Sequence, residues 1–128
     1  MFCRPEFRVV MIGYYACGRT TALYQLKEGK FIENCVPTVG FNVEVVPFKK
    51  AALHIWDVGG GCKLREIWHH YYEGTHGIVF FIDASLEANK GVVDETVGWV
   101  RKALECTTPR CPFLILINKT DIATMTPA

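Results

Sequence analysis

The chain is organised around residues 7–24, FRVVMIGYYACGRTTALY. An apolar run at residues 9–12 ends at Gly13, and four residues later GRTT (residues 18–21) opens a segment with helical spacing. This order is typical of a phosphate-binding loop. Glycines let backbone N–H groups curl around an anion, the helix dipole favours that anion, and a hydroxyl at the helix start can hold Mg²⁺. The lysine of the motif is replaced here by Arg19.

Length and composition bound the class of protein. The chain has 128 residues, of which 50% are apolar and 21% charged, so we expect one globular domain. A net charge of +1 gives no electrostatic basis for binding DNA, RNA or an anionic membrane surface. No apolar run approaches the roughly 18 residues of a membrane span. Phe2 stands where N-myristoylation needs glycine, so no myristoyl anchor is expected.

The six cysteines are spaced irregularly, without a C-x-x-C pair or a secretory signal. They predict reduced thiols in a cytoplasmic protein rather than a disulfide framework.

Hydrophobic periodicity predicts strands that alternate with helices. Besides the first strand, the predicted strands are 40–48, 53–58, 77–84 and 113–117, and the predicted helices are 20–28, 64–72 and 89–106. The last two strands are apolar throughout, as buried parallel strands are. The strand at 40–48 instead alternates Phe41, Val43 and Val45 with polar residues, which predicts one face towards water.

Two of the predicted helices have an apolar face. In the helix at 64–72 this face holds Leu64, Ile67, Trp68 and Tyr71, and in the helix at 89–106 it holds Val93, Val97, Val100 and Leu104. Together these elements predict a doubly wound, mostly parallel α/β sheet of about five strands with one antiparallel edge hairpin.

Unusual polar residues follow three of the predicted strands. Ligands bind at the carboxyl ends of strands in such sheets, so residues 13–20, Asp57 and residues 118–121 are expected to meet one ligand. The loop at 13–20 suits phosphates, and Asp57 suits the Mg²⁺ that phosphates bring with them. The NKTD of residues 118–121 resembles the guanine-reading NKxD element of GTPases.

Three further stretches narrow the resemblance. PTVGFNVE (residues 37–44), WDVGG (56–60) and LREIWHHYYEGTHGIVFFIDAS (64–85) closely resemble the ADP-ribosylation factor (Arf and Arf-like) family of small GTPases. The resemblance covers nearly the whole chain. It implies a P-loop NTPase fold in which residues 1–128 form a single G domain that lacks the last strand and helix of the family.

The resemblance also implies GTP or GDP as the ligand, together with Mg²⁺. The positions that it assigns to the nucleotide are Gly13, Cys17, Gly18, Arg19, Thr20, Thr21, Thr38, Gly60, Asn118, Lys119 and Asp121. Thr20 and Thr38 are implied to bind Mg²⁺ through their hydroxyls and Asp57 through water. The backbone N–H of Gly60 is implied to meet the γ-phosphate, and Asn118, Lys119 and Asp121 to hold the guanine.

The implied partners are effectors, exchange factors and GTPase-activating factors, and the implied setting is membrane traffic. Such a protein is expected in the cytoplasm and at the periphery of endomembranes. The apolar residues Phe41, Trp56 and Tyr71 match positions through which the family recruits effectors, although ordinary packing explains them equally well.

The sequence departs from the family in four ways that bear on function. In the phosphate loop, Tyr14 and Tyr15 replace smaller or acidic residues, and Cys17 lies at the start of the helix. Arg19 replaces a compact ammonium with a wider planar group, which predicts weaker nucleotide affinity. Gly61 stands where the family has the glutamine that positions the attacking water, so no catalytic residue is assigned and slow hydrolysis is expected. The family continues beyond Asp121 with a further strand and helices, and without them an apolar sheet face predicts a dimer or a covering partner.

Two functions therefore stay open. The first is a GTP-binding switch with impaired hydrolysis, and the second is a pseudo-GTPase, an interaction module that binds nucleotide weakly or not at all. A third reading, an adenine-specific P-loop kinase, is disfavoured by residues 118–121.

Overall fold

The computed structural model describes residues 5–14, 18–28, 41–61, 65–86 and 89–119. In these ranges the elements are β1 (Glu6–Gly13), α1 (Arg19–Glu28), β2 (Phe41–Phe48), β3 (Ala51–Val58), β4 (Gly77–Asp83), α2 (Lys90–Cys106) and β5 (Phe113–Asn118). Short 3₁₀ turns lie at Trp68–Tyr71 and Ala84–Leu86. The predicted loop at 30–39 lies outside the described residues.

The five strands form one sheet in the order β2-β3-β1-β4-β5. β1 pairs in parallel with both β3 and β4, and β4 pairs in parallel with β5. β2 and β3 form the antiparallel hairpin at one edge. The predicted fold class, a mostly parallel sheet with one antiparallel edge pair, is confirmed.

The core is divided between the two faces of the sheet because successive side chains of β1 point in opposite directions. Val10 and Ile12 are buried on the face that also holds Trp68 and Ala103 of α2. Met11 is buried on the other face, in a cluster that includes Leu23 of α1. The alternation of β1 therefore fixes both helices over the sheet centre.

The strand predicted at 40–48 is present, but the assignment of its faces was wrong. Val46 is the buried residue of β2, whereas Phe41 and Val45 are 51% and 48% exposed. The cause is α1, which covers the face that holds Val46 and extends Lys27 to Glu44, with 2.5 Å between Nζ and Oε2. The apolar residues of the opposite face consequently stay in contact with water.

The predicted helix at 64–72 was also wrong. Residues 62–64 lie outside the described residues, and the segment that follows contains a 3₁₀ turn at Trp68–Tyr71 instead of continuous α-helix. Backbone N–H groups donate to the third residue before them, as in the bonds from His70 to Ile67 and from Tyr72 to His69. Trp68 is buried, whereas Ile67, predicted for the same apolar face, is exposed.

The helix predicted at 89–106 is confirmed as α2, with Asn89 as its N-cap, but its predicted apolar face is rotated. Val93, Val97 and Leu104 are 40%, 50% and 51% exposed, and Ala103 is fully buried. Ala103 belongs to the buried cluster that contains Val10 and Ile12, and Trp99 and Val100 pack against this cluster. None of the helices in the described ranges combines the length and the apolar character needed to cross a membrane.

The prediction that the strand at 113–117 is buried was wrong as well. Leu114, Ile115 and Ile117 of β5 are 56%, 46% and 45% exposed. β5 pairs with β4 along one side, and no strand of the described ranges pairs with its other side. Its apolar sequence is therefore that of an edge strand with uncovered side chains.

Candidate functional site

β1 ends at Gly13 and α1 begins at Arg19, with Gly18 beside Asn118 at the end of β5. The backbone carbonyl of Gly18 accepts a hydrogen bond from the N–H of Ala22 at 2.9 Å, which begins the helix. Gly18 has a φ of 96°, and a Cβ at this position would overlap the Asn118 side-chain amide. Only glycine fits such a backbone and such a close neighbour. Two of the predicted ligand-binding segments are thus in contact.

Arg19, at the start of α1, is turned into the protein and is 5% exposed. Its Nη1 donates hydrogen bonds to the backbone carbonyls of Gly13 at 2.6 Å and Tyr14 at 2.9 Å. Its Nε donates to Oδ1 of Asp57 at 3.0 Å. The guanidinium consequently links the phosphate loop to the end of β3.

Asp57 is fully buried, and both of its carboxylate oxygens are bonded within the chain. Oδ1 accepts from Arg19, and Oδ2 accepts from the hydroxyl of Thr20. Two predicted metal ligands are therefore adjacent. The hydroxyl and the carboxylate are oxygen donors of the kind that Mg²⁺ prefers. These residues fit a magnesium ion in chemical type, with Arg19 as a competing cation at the same carboxylate.

The glycines after β3 are held by a buried tryptophan. The indole N–H of Trp68 donates to the carbonyl of Gly59 at 3.0 Å. Gly59 and Gly60 are buried, whereas a Cβ on Gly61 would have no atom of the described residues within 4 Å. The position of the missing glutamine is therefore not packed against any of the described residues.

Lys119 follows β5 in a left-handed conformation, with a φ of 60°. Its ammonium lies 2.9 Å from Oδ2 of Asp83, at the end of β4. The backbone N–H and the hydroxyl of Ser85 donate to Oδ1 of the same carboxylate. Burial alone would raise the pKa of Asp83, but the hydrogen bonds from Ser85 and Lys119 outweigh it and lower that pKa. Asp83 thus positions a predicted guanine-binding residue.

We expect this carboxylate to make stability depend on pH. Because folding lowers its pKa, Asp83 stabilises the fold fully above the ordinary value of 3.8, and this contribution is lost as pH falls through the lowered folded value. Asp83→Asn should cost about 1–3 kcal/mol at pH 7 and flatten the acid limb of the stability profile. Urea unfolding between acid and neutral pH measures both. Asp94→Asn, an exposed carboxylate of α2, is the control, and an equally steep acid limb in Asp83→Asn and wild type would contradict the assignment.

A cluster of Tyr14, Arg65 and Glu95 was not predicted. The Tyr14 hydroxyl donates to Oε2 of Glu95 at 2.9 Å, and Arg65 lies over the Tyr14 ring at 4.2 Å. Nη1 of Arg65 is 3.5 Å from the same carboxylate oxygen. Burial and the Glu95 hydrogen bond raise the pKa of Tyr14, and Arg65 opposes that rise. The sequence signal that pointed to this cluster is Tyr14 itself, a bulky residue in a loop of a kind that is usually built of small residues.

The remaining predicted site residues divide into two groups. Thr21 lies in the first turn of α1, next to Thr20. Cys17, Thr38 and Asp121 lie outside the described residues. The described candidates from the phosphate loop, β3 and β5 all lie at the carboxyl ends of strands, along one rim of the sheet.

Comparison with known proteins gives the family. The ADP-ribosylation factor family matches residues 1–128. The chain belongs to this family. Among solved structures it is similar to the Arl6 (BBS3) small GTPase from Trypanosoma brucei, determined with the nucleotide analogue GppNp bound. The two are 31% identical, the match covers 96% of this chain and 73% of that one, and the TM-score is 0.78. The family and the shared fold identify the chain as an Arf-like small GTPase, as the sequence resemblance predicts.

Proposed function

We propose that this Arf-family chain is a GDP/GTP switch with slowed GTP hydrolysis that acts in membrane traffic. The observation that supports it best is the meeting of three sequence motifs at one rim: Arg19 and Thr20 contact Asp57, and Gly18 contacts Asn118. Ligands of open parallel sheets bind at the carboxyl ends of the strands, so this convergence of three strand ends supports a common ligand.

The phosphates would lie at the N-terminus of α1, where backbone N–H groups and the helix dipole favour an anion. Gly13, Gly18 and Thr21 would contribute to this cradle with Cys17, and Gly60 would give its N–H to the γ-phosphate. The magnesium ion would be held by the hydroxyls of Thr20 and Thr38, whereas Asp57, which is paired with Arg19, would reach it only through water. The ion would draw charge away from the phosphate oxygens.

The guanine would lie at the end of β5, held by Asn118, Lys119 and Asp121. A carboxylate that accepts hydrogen bonds from N1–H and the exocyclic amine discriminates against adenine, which offers neither donor in that place. Support comes from Lys119, whose ammonium is already held in place by Asp83.

Partner binding would use the exposed face of β2. Phe41 stacks on Trp56 with ring centroids 5.2 Å apart, and Tyr71 lies 5.9 Å from Phe41. Phe41 is 51% exposed. An exposed aromatic cluster is a common anchor for protein partners, so we assign effectors and exchange factors to it. The uncovered side chains of β5 would take a second copy or a covering partner.

Titration with fluorescent guanine and adenine nucleotides tests the proposal. We expect saturable guanine binding at micromolar concentration or tighter, with adenine weaker by about 10⁴-fold, because adenine would leave the polar groups of the base site unpaired. Asn118→Ala should weaken guanine binding. Leu114→Ala, an exposed change at the other end of β5, is the matched control.

The second candidate, a pseudo-GTPase, is favoured by one observation: Arg19 already occupies a carboxylate oxygen of Asp57. The pseudo-GTPase hypothesis predicts no saturable binding signal with either nucleotide. That result would contradict the GDP/GTP switch and favour an interaction module.

A further inference from the structure

The carboxylate of Asp57 is buried and has no contact with water. The Asp57 side chain is 0% exposed. A buried carboxylate requires an opposite charge or a metal, together with hydrogen bonds to its oxygens. The chain itself supplies what is needed, since Arg19 and Thr20 bind the two oxygens.

Arg19 is held in place from both sides. One nitrogen of the guanidinium contacts Asp57, and another contacts the carbonyls of Gly13 and Tyr14. A guanidinium is planar and its donors point in fixed directions, so it can bind a carboxylate and two carbonyls at once. A lysine has a single nitrogen and cannot reproduce this arrangement. The arginine is therefore built into the site as a fixed cation.

A fixed cation beside Asp57 weakens the electrostatic attraction between this carboxylate and a metal ion. Mg²⁺ is attracted by the negative charge of Asp57, but that charge is already paired with Arg19 at 3.0 Å. The positive guanidinium also repels a second cation brought close to it. A metal that arrives with a nucleotide must share the carboxylate or displace the arginine.

We propose that the Arg19 guanidinium acts as the resident cation at Asp57 in place of Mg²⁺, so that guanine nucleotide affinity depends little on the metal. This inference rests on the proposed nucleotide-binding function. It states which cation balances the charge of Asp57 at the phosphate end of the site. The nucleotide would be retained when Mg²⁺ is removed.

The first test compares the Kd of a fluorescent GDP in millimolar Mg²⁺ with its Kd in EDTA. For the wild-type chain we expect a change of less than about threefold. For Arg19→Lys, which keeps the charge but loses the fixed donor geometry, we expect about tenfold or more. An equal metal dependence in the two proteins would overturn the proposal.

The second test needs no nucleotide. Thermal unfolding of the nucleotide-free chain is measured with MgCl₂ and with NaCl of matched ionic strength. We expect no difference in Tm for wild type, and a Tm of Arg19→Met that is lowered in NaCl and partly recovered by Mg²⁺. If Arg19→Met does not fold, Arg19→Lys takes its place. An equal rise in Tm for wild type and variant would overturn the proposal. Because this assay omits nucleotide, its failure is distinct from a failure of guanine binding.

Discussion

Gly61→Gln is expected to speed single-turnover GTP cleavage by about a hundredfold, the scale on which catalysis depends on correct placement of a reactant. The wild-type residue has no side chain to orient the attacking water. Among the residues that the structure describes, a Cβ at Gly61 meets no atom within 4 Å, and the backbone there lies outside the left-handed region, so a side chain is accommodated. Cleavage by protein preloaded with GTP measures the effect.

Gly61→Ala is the matched control, since it adds a side chain without the amide. Nucleotide affinity should be similar in both variants, so that only the chemical step changes. If glutamine cleaves GTP no faster than alanine, the missing amide is not what limits hydrolysis.

Trp68→Ala is expected to lower the free energy of unfolding by about 3–5 kcal/mol, the usual cost of removing a buried aromatic ring. Trp68 is 1% exposed. Its ring contacts Phe80 and Trp99 edge-on, with centroids 5.9 Å and 5.4 Å away. The loss also frees the carbonyl of Gly59 from its hydrogen bond. Urea unfolding followed by circular dichroism measures the change.

Two comparisons make this result specific. Trp68→Phe keeps an apolar ring but removes the indole N–H, and should lose less than Trp68→Ala. Glu73→Ala, an exposed change in the same segment, should lie within about 0.5 kcal/mol of wild type. Equal losses in Trp68→Ala and Glu73→Ala would show that the tryptophan does not anchor the segment. Because Trp68 fixes the glycines after β3, Trp68→Ala should also weaken nucleotide binding.

The strands and the edge hairpin could be predicted because their signals are local. The apolar run of β1 ends at Gly13, and the hairpin strands are separated by two lysines. Which residues are buried depends instead on neighbours distant in sequence. The burial of Val46 requires α1 to cover its face, and the exposure of Ile115 follows from the place of β5 at the sheet edge. Hydrophobic periodicity alone predicts neither the burial of Val46 nor the exposure of Ile115.

In the candidate site, too, some features could be predicted from local sequence and others depend on residues distant in the chain. The positions of Asp57 and Asn118 at strand ends follow from the logic of parallel sheets. The hydrogen bond between Arg19 and Asp57 joins residues 38 apart in the chain, and the one between Tyr14 and Glu95 joins residues 81 apart. Such pairs depend on the direction and length of the side chains once the backbone has folded. The spacing of residues in the sequence does not encode this.

The stacking of Arg65 on Tyr14 joins the segment after β3 to the residue that follows β1, and Glu95 of α2 completes the contact. The phenol absorbs in the near ultraviolet, and its ionisation is sensitive to the guanidinium above it and to the carboxylate of Glu95. A rearrangement that lifts Arg65 away from the ring would remove the influence that lowers the pKa of Tyr14, so the phenol would ionise at a still higher pH, which a pH titration of tyrosine absorbance would show.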